Sequence, residues 1–127
     1  MIESLNITLP PPPRELSPNH TIGSRGARLG KAMKVKQYRQ SACYHALSAM
    51  GRTTPPRWER ATARAVFYCA TKRRRDADNA LGSLKAAFDG LRDAGVIADD
   101  SGLTHEPVVF AVDRERPRVE ISVRPTV

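Results

Sequence analysis

Hydrophobic and polar residues alternate in three stretches of the chain, and each predicts a strand. Ile2, Leu5, Ile7 and Leu9 give a short N-terminal strand. Val108, Phe110 and Val112 alternate, as do Val119, Ile121 and Val123, and the polar link DRERP between them reads as a hairpin loop joining strands over 107–112 and 118–123. A β-branched and aromatic run centred on Ala65–Ala70 adds a fourth strand. The helical period governs the rest. Lys31 to Met50 holds no Pro or Gly and predicts a helix buried along Val35, Tyr38, Ala42, Ala46 and Ala49. Ala77 to Ala94 predicts a second helix with Leu81, Leu84, Phe88 and Leu91 as its core stripe, closed by Gly95. The order β-α-β-α-β-β predicts an α+β single domain over 1–127, two helices packed on a small mixed sheet. Four prolines, Pro10 to Pro13, end the first strand, and 10–30 reads as a flexible Pro/Gly-rich loop.

Composition narrows the class. The chain has 127 residues with 40% hydrophobic content, enough for one packed core. No apolar run is long enough to span a membrane, and the first residues lack the pattern of a signal peptide. Cys43 and Cys69 form no framework or CxxC pair, which fits a reducing cytoplasm, and both read as small core residues. The net charge is +8, and residues 1–75 hold 15 basic and 3 acidic side chains. A balance of that size suggests nucleic acid as a partner. Lys31, Lys34, Lys36 and Arg39 cluster at the start of the first helix, where cations oppose the macrodipole; DNA phosphate or simple solvation would favour them there.

The chemistry concentrates in Lys72 to Ser101, KRRRDADNALGSLKAAFDGLRDAGVIADDS. A protein that attracts phosphate with Arg73, Arg74 and Arg75 should avoid carboxylates beside them, yet Asp76 and Asp78 follow directly and Asp99 and Asp100 close the segment. A divalent cation seated between carboxylate and phosphate reconciles the two signs, and hard oxygen ligands suit Mg2+ or Mn2+. The competing reading has Asp76 and Asp78 capping the helix while the arginines pair with them. On a continuous helix Asp78, Lys85 and Asp89 share a polar face, and Lys85 would stabilise charge on a phosphoryl group while Asp89 supports it as an i+4 partner. Other signals fall away. GARLGK is one residue short of a P-loop, the three histidines have no zinc spacing with the cysteines, and Lys72–Arg75 separate the strand from Asp76, unlike a haloacid-dehalogenase-type phosphatase. Trp58 and Tyr68 read as packing residues rather than base-stacking ones.

The run KRRRDADN followed by LKAAFDGLRDAGVIADDS resembles the signature of the RusA family of Holliday junction resolvases, found in bacteria, prophages and phages. The match is dense over residues 72–101, and Leu9–Pro10 and Pro18–Asn19 fit more loosely. The resemblance implies a Mg2+-dependent, homodimeric endodeoxyribonuclease of the cytoplasm, phage- or prophage-encoded, that resolves four-way DNA by paired symmetric nicks in recombination and repair. It implies Asp76, Asp78 and Asp100 as metal ligands, with Asp100 favoured over Asp99, and Lys85 as the catalytic lysine. Arg73, Arg74, Arg75, Asn79, Lys31 and Lys34 would hold DNA. ALGSL is three residues longer than in the shorter bacterial form, which places Lys85 about one turn farther from Asp78. Two other readings of the residues stand beside it: a non-catalytic basic DNA-binding protein, and a nuclease for other branched DNA.

Overall fold

Strand β2 (Ala61–Cys69) buries Ala61, Ala63, Ala65 and Phe67 on one face, and the rest of the fold is arranged around it. The computed structural model describes residues 2–20 and 23–126. On one side β2 pairs antiparallel with β5 (Arg118–Pro125), which pairs in turn with β1 (Leu5–Leu9). On the other side lie two short parallel partners, β3 (Leu103–His105) along the start of β2 and β4 (Val109–Val112) along its end. Ala63 faces His105 but Val66 faces Val109, so this edge takes up one extra residue around Pro107, which cannot donate to a ladder. Helices α1 (Arg25–Met50) and α3 (Lys85–Asp93) pack on the face of the buried alanines, with Ala42, Ala46, Leu84 and Leu91 fully enclosed. The short α2 (Ala77–Gly82) precedes α3. This is the α+β arrangement and mixed sheet that the hydrophobic pattern predicts.

Several details differ from the sequence reading. The strands over 107–112 and 118–123 do not form a hairpin, because β4 and β5 flank β2 on opposite sides. Alternation fixes which face a strand buries but not which neighbour it takes. The DRERP link is an arch over the end of β2. The Asp113 amide donates to the Cys69 carbonyl (2.8 Å), and Asp113 Oδ1 accepts from the amides of Glu115 and Arg116. Strand β3 had no signal, since Leu-Thr-His is too short and polar to alternate visibly.

The first helix starts six residues before Lys31, at Arg25. Ser24 caps it, accepting from the Ala27 amide (3.1 Å), and Gly26 and Gly30 lie in its first two turns, where a Cβ would meet nothing within 4 Å. Its buried stripe ends on Met50, not Ala49, which is exposed. Residues 10–20 make defined contacts with the rest of the chain. The Tyr38 hydroxyl donates to the Pro10 carbonyl (2.7 Å), Leu16 is buried in a 3-10 turn at Arg14–Leu16, and Pro18 abuts Gly82. Thr21 and Ile22 of the expected loop lie outside the described residues. The second helix is broken at Ser83–Leu84, where the Ser83 hydroxyl donates to the Ala80 carbonyl (2.6 Å) and competes with helical pairing. Cys43 and Cys69 are half-buried at the margin of the core rather than inside it.

Two features hold α1 against α3. Gly90 faces the Arg39 carbonyl so closely that a Cβ there would also stand 2.9 Å from Ala42 Cβ. Arg39 and Asp93 form a two-point ion pair at 2.6 and 2.8 Å between the same helices. Gly90→Ala is therefore expected to destabilise the fold by about 2–3 kcal/mol, read as a fall in Tm, because backbone stands in the way of the new methyl; an unchanged Tm refutes the close contact. The Arg39 guanidinium beside Asp93 holds its carboxyl below the ordinary value of 3.8. A depressed carboxylate stabilises above its unfolded value and loses that contribution as pH falls through its folded value. Asp93→Asn should thus lower Tm at pH 7 and make no difference once the medium is acidic enough to protonate Asp93 in the fold.

Candidate active site

The chain leaves β2 at Cys69 and runs through Lys72–Arg75 without regular structure before entering α2. Asp76 is the N-cap of that helix. Its Oδ1 accepts from the amides of Asp78 (2.9 Å) and Asn79 (3.1 Å), which satisfies donors that no helical carbonyl can reach. Among the described residues, the second oxygen of Asp76 makes no hydrogen bond, and Asp78, exposed in the first turn, makes neither a side-chain hydrogen bond nor an ion pair. The helix-cap reading therefore holds for Asp76. The ion-pair reading does not: among the described residues neither Asp76 nor Asp78 is paired with Arg73, Arg74 or Arg75, and the Arg75 side chain donates instead to the Thr71 carbonyl (3.3 Å). Two carboxylates and three guanidiniums stand in one stretch without neutralising one another directly.

The other site residues lie elsewhere. Lys85 opens α3 after the break, so the continuous-helix face that would carry Asp78 and Lys85 together does not exist. Its ammonium is 3.7 Å from Asp89, the i+4 partner that the sequence suggests, and is largely exposed. Asp89 also meets Arg92 (3.6 Å), and the same guanidinium reaches Asp99 (3.9 Å) and Asp100 (3.7 Å). Arg92 was not legible as a hub, although its i+3 spacing from Asp89 was available. The Ser101 hydroxyl donates to Asp99 (2.7 Å), and this bond, ahead of one from Asp100, lowers the Asp99 pKa.

Asp100 does not join Asp76 and Asp78. It begins the turn before β3, and Leu103 of β3 lies opposite Ala61, the first residue of β2. Asp76 follows the other end of β2. Nine residues of strand separate those ends, on the order of 25 Å at about 3.3 Å per residue. Among the described residues, no group of three or more His, Cys, Asp or Glu side chains is placed to hold a metal ion. A three-aspartate centre thus does not fit within one chain. The pair Asp76 and Asp78 alone does fit Mg2+, which keeps most of its water and is commonly held by one or two carboxylates together with substrate phosphate.

The DNA-contact candidates divide as well. Lys34 is 3.0 Å from Glu15, and Arg39 is taken by Asp93, so neither charge is free. Lys31, Arg73 and Arg74 have no ion-pair partner among the described residues. Asn79, half-buried, and Arg73 to Asp76 line a cavity of ≈650 Å3 at the end of β2. Its far wall includes Pro11–Pro13, Phe110 and Arg118, which the sequence did not mark as site residues. Arg118 lies 3.9 Å over the Tyr68 ring and pairs with Asp113 and Glu120. No helix among the described residues is long and apolar enough to cross a membrane.

Unpaired arginines beside carboxylates with free oxygens suit binding and hydrolysing a phosphodiester rather than folding alone. No curated protein matches the sequence. The family model of endodeoxyribonuclease RusA matches residues 10–124, nearly the whole chain and the full span from the proline segment to the last strand. With arginines, carboxylates and fold in agreement, the chain belongs to the RusA endodeoxyribonuclease family.

Proposed function

We propose that this protein is a Mg2+-dependent endodeoxyribonuclease that resolves four-way DNA junctions by paired symmetric nicks. The observation that carries the reading is the pair Asp76 and Asp78 standing beside Arg73–Arg75 with no direct pairing between them. Mutual neutralisation would explain such a stretch structurally, and it is missing. Arg73 and Arg74, with Lys31 along the adjoining helix, bind the DNA backbone. The free oxygen of Asp76 and the carboxylate of Asp78 hold the ion. A Mg2+ or Mn2+ ion held there would supply Lewis-acid activation of the attacking water and offset charge on the phosphoryl oxygens. Lys85, loosely held by Asp89, is free to turn its ammonium toward the phosphate.

A junction has two strands to cut, so two sites related by a two-fold axis are required. A homodimer supplies them and also accounts for the distant Asp100. A two-fold axis at right angles to β2, passing outside the chain level with the strand's midpoint, sets opposite ends of the two β2 strands beside each other. Asp100 of the partner subunit then comes to the end that carries Asp76 and Asp78, and each site draws ligands from both copies.

Incubating the protein with a synthetic four-way junction should give symmetric nicks with Mg2+ and none with EDTA. Binding without any cutting under both conditions would leave only a non-catalytic DNA binder. Asp78→Asn should bind junctions normally, cut none and melt like the wild type, because no cap is lost. Asp76→Ala should also stop cutting and in addition cost about 1 kcal/mol of stability through loss of the N-cap. The shared site has its own test. Mixed dimers of Asp78→Asn and Asp100→Asn chains should regain one intact site and single-strand nicking, although each variant alone is inactive; inactivity of the mixed dimers overturns the sharing of ligands between copies, and full activity of Asp100→Asn alone places Asp100 outside the site.

A further inference from the structure

Backbone binding does not explain the walls of the cavity beside Asp76. A surface that only tracked phosphate would be cationic and polar throughout. Here the rings of Pro11–Pro13 and the side chains of Phe67 and Phe110, 5.7 Å apart between centroids, share ≈650 Å3 of open space with Asn79 and five arginines, Arg14, Arg73–Arg75 and Arg118. The arginines suit the phosphate, and the flat apolar surfaces with an amide beside them suit the attached nucleobase, since its faces stack and its edge hydrogen-bonds. The volume lies in the range of small-ligand sites and is far too small for paired DNA. The walls are fixed in advance. Pro10 is tied to α1 by the Tyr38 hydroxyl at 2.7 Å, the prolines that follow have little freedom to lose, and the phenylalanines belong to adjacent paired strands. Asn79, half-buried, makes no side-chain hydrogen bond among the described residues, leaving its amide available to a base edge.

We propose that this cavity takes up one unpaired nucleobase of the DNA, next to the phosphate presented to Asp76 and Asp78. The inference rests on the nuclease reading above and adds the device that selects the substrate. In a continuous duplex every base is paired and stacked, so filling the cavity costs unpairing and unstacking. At a branch point the flanking pairs are already weakened. Capture of a base there registers the adjacent phosphate and gives the enzyme a base preference through Asn79.

The test uses the full-length Asp78→Asn protein and synthetic junctions carrying 2-aminopurine at single positions around the crossover. On binding, fluorescence should rise several-fold at one symmetric pair of positions and stay flat at all positions of a matched duplex. In the Asp78→Asn background, adding Asn79→Ala or Phe110→Leu should reduce that rise to the level of neighbouring positions. With the wild-type enzyme, a junction abasic at the responding position should be cut at least tenfold more slowly at that nick, with binding changed only a few-fold. The abasic measurement needs no variant of the protein, so it stands even if Phe110→Leu fails to fold. Normal junction binding with no responding position, or cutting indifferent to the missing base, overturns the base cavity and leaves the nuclease reading intact. Failure of the wild type to cut any junction overturns that reading instead.

Discussion

The site depends on β2 having a neighbour on each edge. Flanked by β5 on one side and by β3 and β4 on the other, this strand cannot shift register without disturbing every other strand except β1. Its small core-facing residues, Ala61, Ala63 and Ala65, let the two long helices settle on the sheet, and Gly90 allows them to approach each other. A strand fixed so firmly delivers the arginine-rich exit and the Asp76 turn to one defined place. It also sets Asp100 at the opposite end, so the rigidity that positions two carboxylates keeps the third away from them.

Charge is used differently in different parts of the surface. Arg39, Arg92, Arg118 and Arg124 each have at least one acidic partner, while Arg73 and Arg74 have none among the described residues. The acidic groups needed to quiet them are present in the same segment and are turned to other work. Asp76 is the clearest case, with one oxygen organising the helix start and the other left over. A carboxylate fixed by its own backbone loses little freedom when it takes a ligand.

Much of this was legible in the amino-acid order, and what was not has identifiable physical causes. Leu5, Ile7 and Leu9 announced their strand because a single face is buried, and the arginine and aspartate run stood out as a candidate site because the signs conflict. The break at Ser83 was hidden because Leu84, Phe88 and Leu91 keep helical phase with Leu81 across it, so periodicity continues where hydrogen bonding does not. The early start of α1 was hidden by Gly26 and Gly30, which argue for a loop unless Ser24 is weighed as a cap. The separation of Asp100 from Asp76 was beyond reach, since spacing along the chain carries no information on which end of β2 each residue joins. The same blindness to pairing produced the false hairpin.

The interruption between α2 and α3 has a further consequence. Because the core stripe begins anew at Leu84, residues can be inserted or removed just before it without rotating Phe88 and Leu91 out of the interior. The ALGSL stretch sits at this point and is accommodated by the turn at Ser83–Leu84. Such a joint works as an adjustable spacer. A change of length there would alter the standoff between Lys85 and the aspartate pair, and with it the size of whatever fits between them, while the hydrophobic scaffold stays unchanged.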